Sequence, residues 1–338
     1  MLSWVKFIIC GIAIIWCGYK LSFLGDVICE KTKVTRTIMG FAILSIATSA
    51  PEFVTSIASV VVIKVPDFAA GGVFGSIILN LGIIAVLDLI EGEGPIMFKV
   101  HAKQILYAGW SIIFLSVVVF SMLLRIVVGI SPVFWGLGWE SFILPILLII
   151  ALVSIFNLEK ATKKGNQQNI AISSVKKKYQ QATFRYTLLK FIFYLLAIIG
   201  LGMWLSQIGK EIVTVMGWSE VLMGTFFLAM VTSFPELIVS VSALKFDINM
   251  AVGNILGSNF FDVMIIPVCD ALLKGKTFLS SIRVENLFTA MLAIILLTIV
   301  IVGLTSRSKR SFMKLGWDAI AIVLVLIGGS SVLFFLVG

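Results

Sequence analysis

Ten apolar stretches, each long enough for a helix to cross a bilayer, follow one another along the chain with polar connections between them. A hydrocarbon core of roughly 30 Å takes about 20 apolar residues as a helix, and a helix satisfies its own backbone groups where no water can. The expected spans are Leu2–Leu24, Ile38–Ile63, Ala69–Ile90, Ile105–Leu124, Trp139–Asn157, Thr187–Gln207, Val221–Leu244, Asn249–Leu273, Leu287–Leu304 and Leu315–Val337. Only 13% of the 338 residues are charged and 60% are hydrophobic, so ten exposed helices of this kind could not stay in water. The fold class is therefore an all-α integral membrane protein. The first stretch has one lysine, Lys6, ahead of its apolar run and no convincing small-residue cleavage site, so it reads as a span and not as a removed leader.

Lysine and arginine set the orientation. With the N-terminus outside, the inner connections hold 19 of the basic residues and the outer ones 7. Both termini then face out, in a multi-pass protein of the cell membrane. The net charge of +9 is mostly this inner belt, facing anionic lipid head groups and not nucleic acid. One long polar connection, 158–184, is expected to be a cytoplasmic linker between a first half, 1–157, and a second, 185–338, of five spans each.

Cys10, Cys17, Cys29 and Cys269 show neither metal-site spacing nor a disulfide framework. The single histidine, His101, excludes a bis-histidine haem or a multi-histidine metal centre, and no Ser–His or paired-aspartate catalytic arrangement is present. The chain is thus not expected to be an enzyme, to need a cofactor, or to require an obligatory protein partner.

One segment occurs twice. Thr48-Ser49-Ala50-Pro51-Glu52-Phe53-Val54-Thr55-Ser56 returns 184 residues on as Thr232-Ser233-Phe234-Pro235-Glu236-Leu237-Ile238-Val239-Ser240, and Gly40 matches Gly224. Gly71, Gly75, Ser76, Asn80 and Asp88 pair with Gly253, Gly257, Ser258, Asp262 and Asp270 at a spacing of 182. Because each half has an odd number of spans, the second copy enters from the opposite face. That is an inverted repeat, the plan of secondary transporters that hold their substrate at mid-membrane between the copies.

Glu52 and Glu236 fall near the middle of their spans. A carboxylate there costs roughly 2.5–3.5 kcal/mol or more and faces the bundle interior. Thr48, Glu52 and Ser56 share one helix face, as do Thr232, Glu236 and Ser240; Ser76 with Asn80, and Ser258 with Asp262, are further pairs four residues apart. Pro51 and Pro235 cannot donate to the carbonyls of Ala47 and Val231, and unwinding is expected there in both copies. Carboxylate, amide, hydroxyl and carbonyl oxygens are ligands for hard cations such as calcium and sodium. The glycines are expected to let helices pack closely.

These residues resemble the two α-repeats of the sodium/calcium exchanger branch of the calcium/cation antiporters. The motifs are Ala-Thr-Ser-Ala-Pro-Glu with Gly-Ser-Ile-Ile-Leu-Asn, and Val-Thr-Ser-Phe-Pro-Glu with Gly-Asn-Ile-Leu-Gly-Ser-Asn-Phe-Phe-Asp. The resemblance implies exchange of Ca2+ for Na+ by alternating access. Glu52 and Glu236 would be the calcium carboxylates, and Thr48 and Thr232 would give carbonyls. Ser49, Ser76, Ser233 and Ser258, with Asn80 and Asp262, would complete the sodium sites. The first copy departs from the second, with Ile77 where the second has Asn259 and Gly72 where it has Asn254. A proton-coupled relative would be expected to show Gly-Asn-x-x-Glu in both repeats, and here the matching stretches end in Gly75 and Gly257. A proton-coupled or potassium-dependent antiporter and a cation channel are the alternatives.

Overall fold

The computed structural model describes residues 2–32, 39–92, 94–165, 184–245, 247–308, 311–312 and 315–337. Most of the polar connection, 166–183, lies outside the described residues, while its start, to Gly165, continues the helix Glu140–Gly165.

Among the described residues nine helices are long and apolar enough to cross a membrane. The remaining span is the second, which is broken. It runs as a π-helical turn Met39–Leu44, a short helix Ser45–Thr48, a helix Ala50–Ala58 and a second π-helical turn Ser59–Ile63. The count of ten spans therefore holds, and the boundaries move. The first helix extends over Leu2–Thr32 and the sixth over Phe184–Met216, both past the apolar core expected for them. The eighth is interrupted, Ile248–Asp262 being followed by Ile265–Leu272.

Helix ends follow local chemistry. The third span, Pro66–Glu91, opens on a proline, whose missing N–H costs nothing in the first turn, and closes on Gly92 in the left-handed region (φ 64°). The fourth, Gln104–Leu123, runs into the π-helical turn Leu124–Val128 and stops at Gly129 (φ 74°).

The third span and Ile248–Leu272 are the two most buried, and they form the centre of the bundle. Glycines set how near the two halves come. A methyl group on Gly71 would lie 2.8 Å from the amide nitrogen of Thr225, and Gly75 abuts the Thr225 carbonyl. Across the pseudo-symmetry axis, Gly257 abuts the carbonyl of Phe41 and the hydroxyl of Ser45. The third span thus crosses the backbone of the second half, and the eighth span crosses that of the first.

Repeated aspartates fasten the ends. Asp88 accepts from the backbone N–H of Ile96 (2.5 Å) and of Gly316 (2.6 Å). Its counterpart Asp270 accepts from Phe278 (2.6 Å) and Gly138 (2.8 Å), and also from the Ser141 hydroxyl. Gly138 and Gly316 end two small antiparallel hairpins, in which Val133 pairs Gly138 and Ser311 pairs Gly316. Both hairpins lead into a span through one motif, Leu137-Gly138-Trp139-Glu140 and Leu315-Gly316-Trp317-Asp318.

Candidate functional site

Three carboxylates are buried inside the bundle. Glu52 and Glu236 come from the two repeat helices and Asp262 from the end of Ile248–Asp262. Glu236 and Asp262 have no exposure to solvent and Glu52 only 3%. They lie near enough for the charges of Glu52, Glu236 and Asp262 to act on one another. The ion pairs among the described residues, Lys6–Glu211, Lys99–Glu91 and Arg283–Asp67, involve none of them.

The two copies reach across to each other. The Ser49 hydroxyl donates to Oε1 of Glu236 (3.5 Å), and the Ser233 hydroxyl donates to Oε1 of Glu52 (3.4 Å). Ser258 also donates to Oε1 of Glu236 (3.5 Å) and shares a hydrogen bond with Thr48 (3.2 Å). Thr232 turns its hydroxyl back to the carbonyls of Leu228 and Ala229 within its own helix. Asn80 donates through Nδ2 to Oδ1 of Asn259 (3.0 Å). Ser76 is buried and its hydroxyl has no partner. All ten residues expected from the sequence are buried; hydrogen bonds join Ser49, Ser258 and Thr48 to Glu236 or to one another and Ser233 to Glu52, and the Ser76 hydroxyl has no protein partner.

The oxygens left over are informative. Oε2 of Glu52, Oε2 of Glu236, both carboxylate oxygens of Asp262, Oδ1 of Asn80 and the Ser76 hydroxyl are buried and lack hydrogen-bond partners. A buried acceptor without a partner costs about 1–3 kcal/mol, and more when charged. Six such atoms call for positive charge or donors. Among the described residues no three Asp, Glu, His or Cys side chains close around one metal position. An ion here would take at most two carboxylates and draw its other ligands from hydroxyl, amide and carbonyl oxygens.

The two prolines behave differently. At Pro51 the helix is interrupted: Ser49 leaves helical geometry (φ −76°, ψ 4°) between Ser45–Thr48 and Ala50–Ala58. Pro235 sits inside the continuous helix Ala229–Leu244. The unwinding expected in both copies is found only in the first. A proline removes one donor in either case, but a helix can keep its course around that loss.

One polar set was not expected from the sequence. Asp67 accepts from the Arg283 backbone N–H (2.8 Å) and from Nδ2 of Asn286 (2.7 Å). The residues 182 positions away repeat the arrangement: Asn249 accepts from the His101 backbone N–H (2.7 Å), and Gln104 donates to the Asn249 carbonyl (3.0 Å). Asn254, the departure from Gly72 seen in the sequence, donates through Nδ2 to Ser240 (3.0 Å), where the first copy has only Gly72 beside Ser56. The spacing of 182 could have found the set around Asp67 and Asn249, but its residue types differ between copies.

The sequence matches the family model described as "Sodium/calcium exchanger protein" over residues 2–158 and 186–337. The chain belongs to the sodium/calcium exchanger family. It is a membrane transporter and not an enzyme, and the family moves its ions without a cofactor. Among curated relatives it is 27% identical to the "Uncharacterized membrane protein MJ0091" of Methanocaldococcus jannaschii over 311 residues, covering 90% of this chain and 92% of that protein. It is 24% identical to the "Inner membrane protein YrbG" of Escherichia coli over 264 residues, covering 77% and 76%. Its fold is that of the sodium-calcium exchanger NCX_Mj. One structure of that protein, soaked with 10 mM Na+ and zero Ca2+, superposes with a TM-score of 0.59 at 22% identity, covering 98% of both chains. Another, soaked with zero Na+ and Ca2+, superposes at 0.58 and 23% identity, covering 98% and 99%.

Proposed function

We propose that this exchanger moves Ca2+ in one direction and Na+ in the other by alternating access at the central carboxylate site. The observation that carries the reading is the pair of reciprocal contacts between the repeats, Ser49–Glu236 and Ser233–Glu52, which leaves Oε2 of each glutamate buried and without a partner. Glu52 and Glu236 would bind calcium together. Asp262, Asn80, Ser49, Ser76, Ser233 and Ser258, with carbonyls of Thr48 and Thr232, would complete sites for sodium. All are hard oxygen ligands, which suit these two ions and not zinc or copper.

The reciprocal contacts Ser49–Glu236 and Ser233–Glu52 support a site that belongs to neither half alone. Rocking of one repeat against the other would open it to one face and then the other. The excess of lysine and arginine favours both termini outside and 158–184 in the cytoplasm, dividing a half 1–157 from a half 185–338.

The test is calcium-45 uptake by proteoliposomes holding the purified protein. Sodium loaded inside should drive uptake, and replacing it by choline should reduce uptake to that of empty vesicles. Uptake driven by an imposed proton gradient without sodium would overturn the coupling, and single-channel current under the same conditions would overturn the antiport.

A further inference from the structure

The two copies differ in how they hold one pair of equivalent residues. Asn80 and Asp262 occupy equivalent positions, 182 apart, and both are fully buried. Three residues earlier in each helix stand Ile77 and Asn259, also equivalent and fully buried. The pairing is crossed: the amide of Asn80 donates to Oδ1 of Asn259, on the other half, at 3.0 Å. Asp262 finds no such partner, and both of its oxygens are unpartnered.

This difference follows from chemistry. A carboxylate presents two like oxygens, so Asp262 offers an acceptor to a cation whichever way it turns. A carboxamide has one acceptor end and one donor end. An unrestrained Asn80 could turn either end toward a cation, and its NH2 end is the wrong one. In the observed pair the NH2 group of Asn80 is engaged by Asn259, and Oδ1 is the atom left without a partner.

We propose that Asn259 is a positioning residue, which holds the amide of Asn80 through Oδ1 so that the Asn80 carbonyl oxygen is presented to the transported cation. The inference rests on the reading of Asn80 as an ion ligand. Asn259 itself touches no ion; it acts through Asn80. The isoleucine at the equivalent position of the first copy is then no loss, because the residue it would have to orient is an aspartate.

A double-mutant cycle separates orientation from packing. Calcium affinity is measured by calorimetry in sodium-free choline buffer for the parent protein, Asn259→Ile, Asn80→Asp and the double variant. With Asn80 present, N259I should weaken calcium binding about tenfold, the scale of a lost or misdirected buried hydrogen bond. With Asp at position 80, either oxygen serves, and N259I should change affinity by no more than about twofold. Equal weakening in both backgrounds would make Asn259 a packing residue or a ligand and overturn the proposal, as would no weakening with Asn80. Thermal unfolding without ions checks the fold; should N259I not fold, Asn259→Ser breaks the same bond in a polar side chain and is read by the same criteria. If the parent binds no calcium and shows no sodium-driven flux, the exchanger reading falls and this inference with it. Parent binding without the background dependence overturns the inference alone.

Discussion

The hydroxyl of Ser49, in the first repeat, lies 3.5 Å from Oε1 of Glu236 in the second, and Ser233 returns the contact to Glu52 at 3.4 Å. Each copy's serine thus serves the other copy's glutamate. Each glutamate keeps Oε2 free of protein partners. In the proposed site each half would give one acidic oxygen to a shared divalent ion.

Replacing either glutamate tests that sharing. Glu52→Gln or Glu236→Gln keeps the shape and removes one full charge and one strong ligand. Sodium-driven calcium-45 uptake should drop to the level of empty vesicles for each variant alone. Uptake within about twofold of the parent in either one, against the 2–5 kcal/mol usual for truncating a buried charge, would remove that residue from the calcium site.

The glycine contacts predict a graded effect on stability. Gly75 abuts the Thr225 carbonyl, whereas a methyl on Gly72 would meet nothing nearer than the Ser56 hydroxyl at 4.0 Å. Gly75→Ala should therefore force the third span away from the seventh and lower stability by about 1–3 kcal/mol, the range for overpacking. Gly72→Ala should leave the thermal midpoint in detergent near the parent value. An equal drop in both would mean that helix flexibility, and not the close crossing, sets the requirement for glycine.

The proposed topology has a chemical test. A cysteine at Gly165, introduced into a variant with no other reactive thiol, should escape an impermeant maleimide in intact cells and react once the membrane is opened. Labelling from outside would invert the assignment of faces for the whole chain.

Most of the architecture was legible because a membrane leaves few options. Apolar length gave the spans, the odd number of spans in each half gave the inversion, and the repeated Thr-Ser-x-Pro-Glu pointed to the two buried glutamates. What stayed hidden depends on neighbours far apart in the chain. Asp88 and Asp270 were visible as a repeat, yet nothing local says that they bind the backbone of Gly316 and Gly138. The Gly-Trp-acid motif that begins the fifth and tenth spans recurs at 178 and not at 182 or 184, so a search at the main spacings passes over it. The unequal outcome at Pro51 and Pro235 is a property of tertiary fit, since the local residue pattern is nearly the same. The roles of Asn249 and Gln104 were obscured because their counterparts are Asp67 and Asn286, a charged and a shorter side chain.

Charge counting yields the last prediction. Three of the proposed ligands are carboxylates, Glu52, Glu236 and Asp262, and Asn80, the counterpart of Asp262, is neutral. Three sodium ions would balance three carboxylates. One calcium ion balances two, and the glutamates, one from each repeat, are the pair whose Oε2 atoms face no donor. Asp262 would then matter chiefly to the sodium-loaded state, because it is the charge that calcium does not neutralise. Two loads that need different charge states at one place would exclude each other, and this exclusion would couple their movements. Changing Asp262 to Asn removes the third charge and keeps the size. Sodium should then compete less well with calcium, with the sodium concentration for half-displacement rising by about tenfold, while calcium affinity in sodium-free buffer changes by less than about threefold. Calorimetric titration of calcium with and without sodium separates the two quantities. An equal loss of both affinities would make Asp262 an ordinary calcium ligand, and the division of labour between the glutamates and the aspartate would fail.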